Sequence, residues 1–139
     1  MPVTGNLTTL SADEADLTVK FTSLGQHLPT EDYTWDQQLT AGKEMALRKF
    51  REARDLDPLR AVAQNNEDWV SIIALYTLGI ILSGNVQAEL VGRGKLFFED
   101  ADVELGSFNF KYDHDDDGQI DSGTREEKQN LRSIELVRG

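Results

Sequence analysis

The chain has 139 residues, of which 39% are hydrophobic and 28% charged, a balance that indicates one compact folded domain rather than a disordered chain. Its 14 basic and 25 acidic residues give a formal net charge of -11, which repels phosphate backbones and argues against tight binding of nucleic acid. Because cysteine is absent, this sequence can form no disulfide, no thiolate nucleophile and no cysteine-ligated zinc site.

The first nine residues are mostly small and polar and show no helical or strand period. They predict a flexible arm or an extended contact segment. The opening stretch MPVTGNLTTL lacks the basic and apolar regions of a signal peptide, so we expect synthesis and use in the cytoplasm.

The first helix signal is the capping pattern SADE, in which Ser11 can accept from backbone amides and Glu14 can return the bond. This predicts a helix over residues 12–23. Its apolar face would consist of Leu17, Phe21 and Leu24. Because Val19 falls at a period of two between the first pair, the same stretch also fits a strand. Residues 25–34, rich in polar residues with a Gly and a Pro, predict a loop.

A second capping pattern, Thr34 followed by Gln37, opens the clearest amphipathic helix, predicted over residues 35–56. Its apolar positions recur at helical spacing: Trp35, Leu39, Ala46, Phe50 and Ala53. The opposite face is dense in charge, which fits a solvated surface with local ion pairs or a subunit contact. Asp57 and Pro58 then end this helix and can begin another short one.

The most hydrophobic stretch runs from Trp69 to Leu82 and contains no charged residue. A helix that is apolar on every side must be enclosed by other elements, so this stretch predicts the buried central helix of a bundle. Its length of roughly 21 Å is short of the ~30 Å hydrocarbon core of a bilayer, which disfavours a membrane span. Residues 65–68 (NNED) cap its start, and Ser83 with Gly84 closes it.

A further helix is predicted over residues 86–105. Its apolar stripe would be Leu90, Phe97, Ala101 and Leu105. Because Gly92 and Gly94 each cost about 1 kcal/mol relative to Ala in a helix, we expect its first turns to be irregular. Gly106 is a natural terminator of this helix.

Beyond this helix the hydrophobic period changes to two, which predicts a strand with one aromatic face. That face would carry Phe108, Phe110 and Tyr112. The following DHDDDG predicts a turn, QID (119–121) a short returning strand, TREEKQN a polar connector and SIELV (133–137) a final strand.

These elements together predict a mainly α fold, a small bundle of about four helices around a buried central helix with a C-terminal β-hairpin or small antiparallel sheet and extended termini. We expect a single domain over residues 1–139. Within it, residues 1–9 would form the flexible arm, 11–105 the bundle and 106–139 the β-hairpin and C-terminal strand.

The one local motif with possible chemistry is the acidic stretch DHDDDGQID, residues 113–121. Alternate oxygen ligands followed by a Gly suit a calcium loop. The candidate ligands are Asp113, Asp115, Asp117 and Asp121. An EF-hand loop has a bidentate Glu at its twelfth position, where this chain has Thr124. The same residues equally fit an aspartate-rich turn whose side chains bond their own backbone, with Gly118 at positive φ.

No catalytic constellation is visible in the sequence. His27 lies in a predicted loop and His114 in the acidic turn, and neither has a nucleophile beside it. We therefore expect no enzymatic activity, no catalytic residue and no cofactor apart from the calcium that the acidic turn could bind.

The order of elements in the C-terminal third has a known counterpart: a helix ending in Gly, a strand entering YDHDDDGQID, a polar connector and a last strand ending in VRG. With the helix WDQQLTAGKEMALRKF and the long apolar helix, this arrangement over about residues 30–139 resembles the head-to-tail connector proteins of tailed bacteriophages, also called adaptor or head completion proteins.

The resemblance implies a structural protein of the virion neck, made in the host cytoplasm, that docks beneath the portal protein as a ring, commonly of twelve copies. Such a ring extends the DNA channel, lets DNA pass without tight binding and receives the next neck or tail completion protein, with no membrane involved. The implied contact residues are Phe108, Phe110, Tyr112, Arg132, Ile134, Leu136 and Arg138. A calcium-dependent binding module built on the acidic turn is the alternative function.

Overall fold

The computed structural model describes residues 2–27, 33–85 and 87–120, and the backbone of 129–130. The helices in these ranges are α1 (Glu14–Lys20), α2 (Asp36–Arg54), α3 (Asn66–Ser83) and α4 (Ala88–Gly106). The strands are β1 (Ala61–Ala63), β2 (Asn109–Tyr112) and β3 (Gln129–Asn130). Helix α3 lies at the centre and packs against α1, α2 and α4. The predicted mainly α bundle around a buried central helix, with a small antiparallel sheet, is confirmed.

The charge-free part of α3, residues 69–82, is buried or half-buried throughout, as its composition requires. The Asn65 side chain accepts a hydrogen bond from the Glu67 amide at 3.1 Å and caps the helix start. Residues 72–79 are buried without a break. Across the described parts of the chain, no helix combines the length and apolar character that crossing a membrane would need.

Two glycines let neighbouring helices approach α3 closely. A Cβ on Gly42 of α2 would lie 2.9 Å from Cβ of Thr77, and one on Gly94 of α4 would lie 3.0 Å from the Ser83 amide nitrogen. The contact at position 42 is closer than real side chains reach, so only Gly fits there, and a larger residue at position 94 would require the end of α3 to shift. The predicted irregular start of α4 is wrong, since the chain is continuous α-helix from Ala88. Gly94 lies where this helix packs against the end of α3.

Helix α1 is shorter than the predicted 12–23. Asp13 and Asp16, rather than Ser11 and Glu14, form its capping box, with each side chain accepting from the backbone amide of the other at 3.0 and 2.9 Å. The strand alternative is wrong. The predicted apolar face is buried, at Leu17, Phe21 and Leu24.

Helix α2 nearly matches its predicted range. Thr34 donates to the Asp36 carboxylate at 3.1 Å and does not cap the backbone. The predicted apolar face of α2 is wrong at its last position, since Ala53 is exposed. The remaining positions are buried or half-buried: Trp35, Leu39, Ala46 and Phe50.

Residues 1–9 are predicted to form a flexible arm, but the described residues 2–9 pack against the bundle instead. Leu7 is fully buried in the main core and Val3 is 6% exposed. The Val3 amide donates to the Leu59 carbonyl at 2.9 Å. Two apolar side chains spaced four residues apart were too few to show a period, yet their burial holds this segment against the bundle.

The sheet has the order β1-β2-β3, and both pairings are antiparallel. β1 was not predicted; it follows a 3-10 helix at Pro58–Arg60, the predicted short helix, and lies between two helices of the chain. Its small side chains lie opposite large ones, with Ala61 paired to Tyr112 and Ala63 to Phe110.

The returning strand is also placed differently from its prediction. β2 pairs with Gln129 and Asn130, which were assigned to the polar connector, whereas Gln119 and Ile120 of the predicted strand lie in no strand. The predicted final strand, 133–137, lies outside the described residues.

Candidate functional site: the acidic loop and the strand that enters it

The aromatic face of β2 lies inside the core. Phe110 is fully buried, and Phe108 and Tyr112 are 3% and 4% exposed. The period of two was predicted correctly. The assignment of these three side chains to contacts with neighbouring subunits is wrong, because they fill the space between the sheet and the helices of their own chain.

Four rings connect β2 to the bundle. Phe110 packs edge-on against Phe50 of α2, with ring centroids 5.2 Å apart, and Phe108 lies 5.2 Å from Trp69 of α3. Phe50 and Trp69 also contact each other at 6.0 Å. Edge-to-face pairs add to the free energy of burying these rings, so the strand leading to the acidic loop is firmly held.

The acidic loop, residues 113–120, begins at a buried carboxylate. Asp113 accepts hydrogen bonds from the Gly118 amide at 2.8 Å and from the Asp117 amide at 3.4 Å. Burial by itself would raise the pKa of Asp113, but these bonds and the nearby Arg60 guanidinium outweigh burial and hold the pKa below its ordinary value. Asp113 therefore organises the loop in its ionised form.

Arg60 fastens this loop to the rest of the fold. Its Nε donates to the Asp113 carbonyl at 2.9 Å and its Nη2 donates to the His114 carbonyl at 2.8 Å. The same Nε lies 3.7 Å from Oδ1 of Asp116, and the guanidinium stands 5.1 Å from the centre of the Tyr112 ring. One side chain thus places a positive charge against the inner side of an acidic turn.

The backbone of the loop matches the aspartate-rich turn considered from the sequence. Gly118 has φ of 84° and Asp116 has φ of 56°, both in the left-handed region. The Asp117 side chain accepts from the Gln119 amide at 2.9 Å. The outer surface of the loop is carboxylate-rich, since Asp115, Asp116 and Asp117 are all exposed.

The structure describes three of the four candidate calcium ligands. Asp113 turns inward to backbone amides, Asp115 and Asp117 face solvent, and Asp121 lies outside the described residues. Among the residues that the structure describes, no three His, Asp or Glu side chains are grouped as a metal site would require. Calcium binding stays a prediction.

Comparisons of the chain with models of known families, with curated proteins and with solved structures give no match in any of the three. The fold and this site therefore carry the functional argument.

The other predicted contact residues, Arg132, Ile134, Leu136 and Arg138, lie outside the described part of the chain. Sequence reasoning missed Arg60, which lies 53 residues before Asp113. No local pattern marks it, because a single arginine beside Pro58 and Leu59 has the composition of an ordinary surface turn.

Other titratable side chains serve the packing of α3 against α4. The Tyr76 hydroxyl donates to the Asp102 carboxylate at 2.6 Å, and Ser71 donates to Glu104 at 2.8 Å. Burial, then the bond to Asp102 and its charge, raise the pKa of Tyr76 far above its ordinary value, so it remains a neutral donor.

Proposed function

We propose that this chain is a structural subunit of a tailed-bacteriophage neck, which docks beneath the portal protein as a ring that extends the DNA channel and connects head to tail. The observation that carries the proposal is the Arg60 attachment of the acidic loop. A turn with three exposed carboxylates at 115–117 is fastened to the fold by two hydrogen bonds from Arg60, which suits a contact element more than a catalytic one.

The architecture supports the same proposal. The resemblance implies a small helical bundle that carries a β-hairpin, and the four described α-helices with the antiparallel β2–β3 pair fit this architecture. Because the aromatic face of β2 is internal, contacts with neighbours would fall to loop 113–120 and to the segment after β3. Arg132 and Arg138 of that segment offer guanidinium groups, which bind carboxylates in a bidentate manner.

Charge supports the proposal as well. A subunit of net charge -11, repeated about twelve times around a channel, produces a strongly negative potential. Such a surface repels the phosphate backbone, so DNA can slide through the ring without binding tightly. We place the assembled ring in the virion neck, after synthesis in the host cytoplasm.

Electron microscopy of the full chain mixed with the portal protein encoded near it tests the proposal. We expect rings of this chain seated on the portal. Removing residues 131–139 should abolish docking, whereas Thr22→Ala, at an exposed position outside every predicted contact, should leave it intact. Portal particles that stay bare at saturating concentrations of a folded chain would refute the proposal.

A calcium-dependent binding module is the second candidate. The observation in its favour is the turn itself, because Asp113 accepts from Gly118 in a DxDxDG sequence, as in a loop that wraps a hard cation. Against it, the Arg60 guanidinium already supplies a positive charge to this turn.

A thermal melt separates the two candidates. A ligand that prefers the folded state raises the melting temperature by mass action, so a calcium module should melt higher in millimolar calcium than in millimolar magnesium or a chelator. A connector subunit should melt at the same temperature in all three. Asp117→Asn should remove any calcium effect.

A further inference from the structure

Strand β3 leads the chain to one end of the helical bundle. Its register with β2 sets Asn130 opposite Asn109, and the two strands are antiparallel. Each residue that follows Asn130 therefore comes one position closer to the end of α4, which is Gly106. Continued by two residues, the same register sets Arg132 opposite Ser107.

A small pocket lies at this end of the bundle, between the start of α3 and the end of α4, and is called the α3–α4 pocket below. Its lining residues are Asp68, Ile72, Glu104, Ser107 and Phe108. Its volume is about 160 Å³. Because a water molecule takes about 30 Å³ of the liquid and small-molecule sites measure about 300–1,000 Å³, this volume suits one long side chain.

The α3–α4 pocket is negatively charged. Asp68 and Glu104 come from different helices, and Ser71 donates to Oε1 of Glu104 at 2.8 Å, which holds that carboxylate in place. Glu104 lies near the negative end of the α4 dipole, and the last turn of α4 has no basic residue. Among the described residues, no Lys or Arg forms an ion pair with either carboxylate. A cation in this pocket would therefore be stabilised by both carboxylates and by the end of α4.

We propose that the α3–α4 pocket binds the guanidinium group of Arg132 from the same chain. Opposite positions of an antiparallel pair have Cα atoms about 4.5–5.5 Å apart, so Arg132 would start beside a residue, Ser107, that itself lines the pocket. The five N–H donors of a guanidinium can bond two carboxylates at once, and Asp68 and Glu104 supply them.

The uncharged part of the α3–α4 pocket also fits an arginine better than a metal ion. Ile72 and Phe108 line the pocket beside the carboxylates, and the methylene groups of an arginine pack on apolar surface while its charged end stays with polar groups. A hard cation such as calcium takes six to eight oxygen ligands. In the described ranges of the chain, no three His, Asp or Glu side chains are grouped to hold one.

This contact would fix the point at which the C-terminal segment leaves the fold. Residues 133–139 would start beside the junction of α3 and α4 and, at about 3.3 Å per residue, would span at most roughly 23 Å. Arg138 would then be the arginine left for a neighbour. The inference does not rest on the proposed neck function, because it concerns a contact within the free chain.

Trypsin cleavage after Arg132 tests the proposal on the full chain, because a guanidinium held in a pocket cannot enter the protease. Asp68→Asn and Glu104→Gln should each raise the rate of cleavage at this bond about fivefold. Glu99→Gln, at an exposed position of α4 outside the pocket, should leave the rate unchanged. Mass spectrometry identifies the cleaved bond, and circular dichroism checks that each variant is folded.

A double-mutant cycle measured by urea unfolding separates a direct contact from a general loss of stability. Arg132→Gln should lower the folding equilibrium constant about fivefold in the wild-type chain. In a chain that already carries Asp68→Asn and Glu104→Gln, the same change should have almost no effect. In the Glu99→Gln control, Arg132→Gln should keep its full effect.

Three results would overturn the proposal. The first is cleavage after Arg132 that is as fast in the wild-type chain as in the two pocket variants. The second is an effect of Arg132→Gln on unfolding that is unchanged when both carboxylates are neutralised in a folded chain. The third is protection that appears only as the protein concentration is raised, which would mean that a second copy occupies the pocket. Because no portal protein is present, none of these results bears on the neck proposal.

Discussion

Arg60 and Asp113 bond to each other in both directions. The Asp113 amide donates to the Arg60 carbonyl at 2.9 Å, and the Arg60 Nε donates to the Asp113 carbonyl, also at 2.9 Å. The first bond extends the β1–β2 pairing beyond Ala61 and Tyr112. The second adds a side chain that reaches over the end of the ladder. The acidic loop thus starts from a point fixed by two segments distant in sequence.

Replacing Arg60 should loosen this attachment. Arg60→Lys keeps the positive charge but cannot donate to two carbonyls in a fixed fork, so we expect a loss of about 1–3 kcal/mol in the free energy of unfolding. Urea denaturation measures this loss. Amide hydrogen exchange should also accelerate at residues 113–118. Arg51→Lys on the exposed face of α2 is the control, and an equal loss in that variant would contradict the role of Arg60.

Asp113 should make the free energy of unfolding depend on pH in the acidic range. A carboxylate whose pKa is lowered in the folded state contributes stability that is complete above its unfolded pKa of about 3.9 and is lost as pH falls through the lower folded value. The melting temperature of Asp113→Asn should therefore be lower than that of wild type at neutral pH, and this difference should become smaller below about pH 4. Melting temperatures between about pH 2 and 7 measure this difference. Asp115→Asn, at an exposed position, should follow the wild-type curve.

Gly42 and Gly92 form a matched pair of helical glycines. Gly42→Ala would drive a methyl group into Thr77 and should cost about 1–3 kcal/mol through overpacking. Gly92→Ala meets open space and should stabilise the chain by up to about 1 kcal/mol, because Ala has the higher helix propensity. Denaturation at micromolar concentration compares the two variants. Equal effects would mean that α2 and α3 are not packed as closely as described.

Leu7 tests whether the N-terminal segment belongs to the core. Leu7→Ala removes a fully buried side chain and should cost about 2–5 kcal/mol. Thr4→Ala, at an exposed position of the same segment, should change stability by less than about 0.5 kcal/mol. Thermal or urea unfolding measures both. If Leu7→Ala proves as harmless as Thr4→Ala, the segment is an arm after all.

Features with a local physical cause were predictable from the sequence. Helix α3 was found with its cap and its end because fourteen residues without charge have to be enclosed. The gathering of the aromatic side chains of β2 on one face followed from its period of two. The turn of the acidic loop was among the alternatives, since aspartates next to a Gly bond their own backbone.

Only the tertiary structure decided how these pieces meet. The pairing of β1 with β2, the reach of Arg60 to the acidic loop and the close packing of Gly42 on Thr77 each join residues far apart in sequence. It also decided that the aromatic side chains of β2 face their own core. Local propensity fixes the period and ends of an element, but which surface it buries depends on the free energy of packing against distant parts of the chain.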